Sequence, residues 1–94
     1  MARAVIVSEK DNVATLLQEV KAGENVDVTG AVNLMLVARQ SIPRGHKIAL
    51  KDFSSGEDVI KYGFVIGKTV CEIKRGTHVH IHNVVGKKTE GELR

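Results

Sequence analysis

Ile73-Lys74-Arg75-Gly76-Thr77-His78-Val79-His80-Ile81-His82-Asn83 holds three of the chain's four histidines. From His78 onward, imidazoles alternate strictly with Val79 and Ile81. In a β-strand successive side chains point to opposite faces, so this alternation predicts a half-buried strand. Val79 and Ile81 are expected to face a core, and all three histidines to line the other side. Arg75-Gly76 supplies a turn just before it.

The same frame recurs outward along the chain: an apolar residue, two positions, a glycine, two positions, an apolar residue, one position, then another apolar residue. It appears at Val20, Gly23, Val26, Val28 and at Ile42, Gly45, Ile48, Leu50. A degenerate copy is Phe53, Gly56, Val59, with Lys61 in the last place, and the copy at Ile73, Gly76, Val79, Ile81 completes the set. Each unit reads as a glycine turn feeding an alternating strand. The repeat predicts a fold of short, looped-over strands and says nothing about function.

Around these units, Ala4 to Val7, Asn33 to Arg39 and Phe64 to Ile66 read as strands. Val26 and Val28 should point inward, with Asp27 outward. The continuous apolar run Leu34 to Ala38 predicts a strand buried on both faces. Cys71 is expected on a strand as a small apolar residue. Lys51-Asp52-Phe53 reads as a short helical turn, and Gly67-Lys68 as a turn into Thr69 to Ile73. One helix is expected, near Asn12 to Val20. Val13, Leu16, Leu17 and Val20 recur at helical spacing, Asp11 or Asn12 can cap it, and Gly23 can stop it. The class is therefore mostly β with one short helix, as a single domain over 1–85. Residues 86–94 read as a polar, mobile tail.

The chain has 94 residues, enough for one modest core. The formal net charge of +3 comes from interspersed charges, and aromatic residues make up only 3%. A single-strand nucleic-acid binder needs an aromatic stacking platform, which is absent here. The only cysteine forms neither an internal disulfide nor a cysteine zinc site. No stretch has the length of a membrane span or the pattern of a signal peptide, so a cytoplasmic protein is expected.

No nucleophile elbow or phosphate loop is visible. Two imidazoles at i and i+2 on a strand stand about 7 Å apart at the backbone and can close on one metal. A third group is then needed, and Glu57, Asp58 or Glu72 can supply it. Spacing alone favours the plainer reading of a polar face whose histidines hydrogen-bond to neighbours and solvent. His46, Lys47, Lys61 and Tyr62 are the other polar groups near turns. Their cations can hold a carboxylate, or simply be solvated.

Several motifs come in order: Asp11-Asn12-Val13-Ala14, Ile42-Pro43-Arg44-Gly45-His46-Lys47-Ile48-Ala49-Leu50, Gly56-Glu57-Asp58-Val59-Ile60-Lys61-Tyr62-Gly63, Ile66-Gly67, and Gly76-Thr77-His78-Val79-His80-Ile81-His82-Asn83. Together they resemble the amino-terminal SAF domain of the altronate and galactarate dehydratases, over Asp11 to Val84. The resemblance implies a β-clip fold and a small lyase subunit. Such a subunit completes an active site with a large catalytic subunit, for β-elimination of water from a 2-hydroxy sugar acid. It also implies a divalent metal, iron or manganese, in the assembled enzyme. On the resemblance, His46, Lys47, Lys61 and Tyr62 are candidate catalytic residues, His78 and Asn83 candidate substrate-binding residues, and His80 and His82 candidate metal ligands. A sulfolactate sulfo-lyase small subunit, a non-catalytic module binding sugar acids or proteins, and a structural or regulatory subunit with a silent histidine face are the alternatives. No nucleic-acid or membrane partner is expected.

Overall fold

In the computed structural model, which describes residues 1–86, every copy of the glycine frame folds alike. The glycines at 23, 45, 56 and 76 take φ values of 89°, 84°, 82° and 87°. That left-handed backbone at the third position of a four-residue turn is open to glycine at little steric cost. The first apolar residues of the copies then pair through reciprocal backbone hydrogen bonds, Val20 with Ile42 and Phe53 with Ile73. The first and second apolar positions are buried in all four copies.

Nine strands are present among the described residues: β1 (Ala2–Ile6), β2 (Val13–Leu16), β3 (Asn25–Gly30), β4 (Leu34–Val37), β5 (Lys47–Ala49), β6 (Asp58–Lys61), β7 (Phe64–Thr69), β8 (His78–Val79) and β9 (Val84–Gly86). A six-stranded sheet runs β4-β3-β1-β2-β5-β8, and a three-stranded sheet runs β6-β7-β9. The first two copies of the frame give Val20, Val26, Val28, Ile42 and Ile48 to one core cluster, with Ala4, Ile6 and Leu16. The last two give Phe53, Val59, Ile73 and Val79 to a second, with Val13 and Ala49. The repeated frame is thus the unit of packing as well as of local structure.

The expected helix over Asn12 to Val20 is absent, and Val13–Leu16 is strand β2. It pairs antiparallel with β1 and with β5. Val13 enters one core while Ala14 and Leu16 enter the other. Burial towards both cores removes the two-residue alternation and leaves a spacing that imitates a helix. The residues expected to cap that helix have other partners. The Asp11 carboxylate accepts from the backbone N–H groups of Val7, Ser8 and Gly63. Burial pushes its pKa up, but backbone hydrogen bonds outweigh that and hold it below the usual value. Asn12 ties the two sheets together, donating to Asp58 O and accepting from Ile60 N.

Other expectations shift as well. Strand β4 is the edge of the large sheet, and Met35 and Val37 are 51% and 53% exposed, so it is not buried on both faces. Met35 and Val37 pair with Asp27 and Asn25 on the face of the sheet that no core covers, while Leu36 pairs with the buried Val26. β7 runs unbroken through Gly67-Lys68. Gly67 is where β9 crosses closely, for a Cβ there would meet Val85 O at 2.4 Å. Phe53 pairs with Ile73 in extended backbone and forms no helical turn. Cys71 is exposed at a bend outside the strands. Asn25–Gly30 is a strand with Val26 and Val28 fully buried, as the alternation predicts. Gly86, placed at the start of the tail by composition, pairs with Gly67 in β9, and residues 87–94 lie outside those described. No helix of the described residues is long and apolar enough to cross a membrane.

Candidate functional site

Strands β5 and β8 pair antiparallel, Lys47 with Val79 and Ile48 with His78. His46 lies immediately before β5 and His80 immediately after β8. Alternation therefore groups His46, His78 and His80 on the face that Ile48 shares, and their ring nitrogens lie within 4.8 Å of one another. His46 Nδ1 and His78 Nε2 stand 2.8 Å apart, so one donates and the other accepts. The His80 ring stacks on His46 with centroids 3.9 Å apart and planes 12° from parallel.

The strand does not continue to Ile81. β8 ends at Val79, the chain turns over 81–83, and Ile81 is 86% exposed, against the expected burial. Asn83 makes this break. It is buried; its side-chain oxygen accepts from His80 N and its amide donates to His78 O. Its own N–H bonds to His80 O. These bonds replace a strand ladder with a tight loop and fix the histidines' backbone. His82 sits on the loop, exposed, with its ring centroid 5.0 Å from that of His78. Gln40 also fixes the site, since its side chain accepts from His78 N. It lies 38 residues away in sequence, in a stretch with no motif to mark it.

Among the described residues, the charged groups that act on His78 and His80 are cationic. Burial lowers the Lys47 pKa, and the Lys61 ammonium lowers it further. Lys61 also lies over the Tyr62 ring, 4.9 Å from its centroid. Tyr62 itself holds a left-handed backbone, φ 57°, as the first residue of the two-residue loop between β6 and β7. Burial, followed by the neighbouring His82, His46, His80 and Lys47, lowers the His78 pKa to about 4. His80 is lowered by burial first and then by His46, Lys47 and His82. His78 is therefore neutral at pH 7, and the shift at His80 has the same direction.

A cavity of about 170 Å³ opens here, lined by Lys47, Ile66, His80, Ile81, Val84 and Gly86. It is smaller than the roughly 300 Å³ at which small-molecule pockets usually begin. A larger groove, about 490 Å³, runs along β4 past Arg39, Asp52 and Arg75 and contains no histidine. The smaller one is the cavity that Lys47 and His80 line.

Neutral imidazoles of this kind can accept or donate a proton, and the two ammonium groups can hold a carboxylate. The cluster also suits a metal in donor type. The Nδ1 atom of His80 is buried with no hydrogen-bond partner. Because the His46 and His80 rings are nearly parallel, the His80 ring must turn for both to share one ion. Rotation about that Cβ–Cγ bond is soft. Among the sequence candidates, the structure unites His46, His78 and His80, with Lys47 beside them. Lys61 acts on Lys47, and Tyr62 meets the Lys61 ammonium. His82 lies at the edge on its exposed loop, and Asn83 is engaged in holding the loop.

The model of the altronate/galactarate dehydratase SAF domain matches residues 2–87. The chain is 45% identical to altronate dehydratase of Escherichia coli over 73 residues, covering 78% of this chain and 14% of that enzyme. It is 34% identical to altronate dehydratase of Bacillus subtilis over 83 residues, covering 88% of this chain and 16% of that enzyme. It is also 49% identical to the (2R)-sulfolactate sulfo-lyase subunit alpha of Paracoccus pantotrophus over 53 residues, covering 56% of this chain and 79% of that subunit. The chain thus spans about one seventh of the dehydratases and most of the sulfo-lyase subunit. With a match running nearly end to end, this chain belongs to the altronate/galactarate dehydratase SAF domain family.

Proposed function

We propose that this chain is the small subunit of a cytoplasmic lyase that eliminates water from a 2-hydroxy sugar acid of the altronate or galactarate type. Its active site is completed by a large catalytic subunit. The observation that carries the reading is the convergence of His46, His78 and His80 beside the Lys47 ammonium, with Lys61 acting on Lys47. An acidic substrate balances that positive charge. In such an elimination a base removes the proton next to the carboxylate, an acid protonates the departing hydroxyl, and positive charge steadies the enediolate. Lys47 and Lys61 hold the carboxylate, with Tyr62 at the edge of the same patch. The hydrogen-bonded pair His46 and His78 moves the proton.

A partner is supported by the size of the cavity and by Ile81, an exposed apolar residue on a loop fixed by hydrogen bonds beside it. A sulfo-lyase role, with sulfite as leaving group, is the second reading. It is favoured by one observation, that the chain covers 79% of a sulfolactate sulfo-lyase small subunit.

The test is reconstitution with a large lyase subunit and assay on altronate, galactarate and sulfolactate. The isolated chain is expected to be inactive and the complex active. His46→Ala is expected to lower turnover about 100-fold or more, the usual scale for a lost acid or base. Substantial turnover by the isolated chain overturns the shared-site reading. An unimpaired His46→Ala complex removes this face from the chemistry.

A further inference from the structure

Three imidazoles from two strands converge with nitrogens within 4.8 Å, and the buried Nδ1 of His80 lacks a partner. We propose that His46, His78 and His80 form a metal site belonging to this chain alone, for a divalent transition ion of the zinc or ferrous class, with open positions that an anion completes. The donor set decides the class of ion. Imidazole nitrogen suits zinc, iron, nickel and copper, whereas magnesium and calcium require oxygen ligands, and this cluster presents none. Binding shifts the proton held between His46 and His78 to the outer nitrogen of the ring that carries it, and turns the His80 ring towards the ion.

The surroundings decide what fills the remaining positions. A divalent ion here adds to the charge of Lys47, which pairs in register with Val79 between His78 and His80. Closed structural sites take four protein ligands, whereas three-ligand sites keep the fourth position for water or substrate. Here the field favours an external anion, and a 2-hydroxycarboxylate offers two oxygens to one ion. Metal and anion therefore bind cooperatively, each tightening the other by the same factor. This rests on the lyase reading and changes one role in it: with the ion bound, His46 and His78 are ligands and moving the proton falls to the large subunit; the site is measured without turnover.

The experiment titrates the purified chain with Co²⁺, followed by visible absorption, with and without lactate. A single saturable site is expected, tightened by lactate, with no competition from equimolar Mg²⁺. His46→Ala, His78→Ala and His80→Ala should each weaken binding by more than the about 10–100-fold that loss of an outer partner costs. X-ray absorption of the zinc-loaded wild-type chain, which depends on no variant's folding, should count three imidazoles. Absence of saturable uptake, a lower imidazole count, or full affinity after His78→Ala overturns the site. Equal affinity with and without lactate overturns its completion by an anion. None of these results bears on whether the reconstituted complex is a dehydratase, so the two readings fail separately.

Discussion

The first and fourth copies of the glycine frame begin alike and end differently. Val20 to Val28 runs into the six-residue strand β3, and both of its later valines are fully buried. Ile73 to Ile81 makes the same turn and buries Val79 equally well, yet its strand stops after two residues and Ile81 is left 86% exposed. The copy that keeps the pattern makes core. The copy that breaks it makes the histidine cluster. A strand ladder would have carried His82 away in line, whereas the Asn83 loop folds the chain back and leaves three imidazoles gathered at the sheet edge.

The largest effect should come from the turn itself. Gly76 and Gly23 have nearly the same φ, but a Cβ on Gly76 would meet Val37 O at 2.5 Å, while one on Gly23 would meet nothing within 4 Å. Gly76→Ala is expected to lower unfolding free energy by about 4 kcal/mol, combining backbone strain and overpacking. Gly23→Ala should lower it by only about 1–2 kcal/mol, from strain alone. Urea unfolding of the pair checks this, and equal losses would show that the two turns sit in equivalent surroundings.

Removing Asn83 should cost less but act more locally. Asn83→Ala deletes two hydrogen bonds and leaves the His80 N–H and His78 carbonyl unpaired, for a loss of about 2 kcal/mol. Amide exchange should rise over residues 78–83 and stay unchanged in β1 and β3. Uniform loss of protection would mean that the loop is integral to the fold.

The smallest effect separates the two copies at their final position. Ile81→Ser should leave the stability of the isolated chain within about 0.5 kcal/mol of wild type, as for other exposed positions. Val28→Ser, at the matching place, should cost about 3 kcal/mol through lost packing and a buried hydroxyl. In the reconstituted complex Ile81→Ser should weaken association with the large subunit, read by a binding titration. An Ile81→Ser chain that unfolds readily would place that side chain in the core after all.

Sequence by itself determined the repeated turn-and-strand unit, because a left-handed glycine and a buried apolar residue on each side are local requirements, legible at fixed spacing. It also marked His46, Lys47 and the 78–82 stretch, since those residue types are conspicuous at turns. Only the tertiary structure decided the rest. Val13 to Leu16 faces two cores at once while Leu17 is exposed, so the helical spacing of Val13 to Val20 misreports its packing, and that fact lies in the packing of two sheets. The run Leu34 to Val37 is apolar but turns Met35 and Val37 to the open face they share with Asp27 and Asn25, which no window of sequence reports. His46 meets His78 and His80 through the pairing of β5 with β8, a long-range register. Asn83 ends the alternation through bonds that form only once the loop has closed. Local periodicity fixes what each short unit is, while the partners it finds fix which side chains reach the core and which are left to do chemistry.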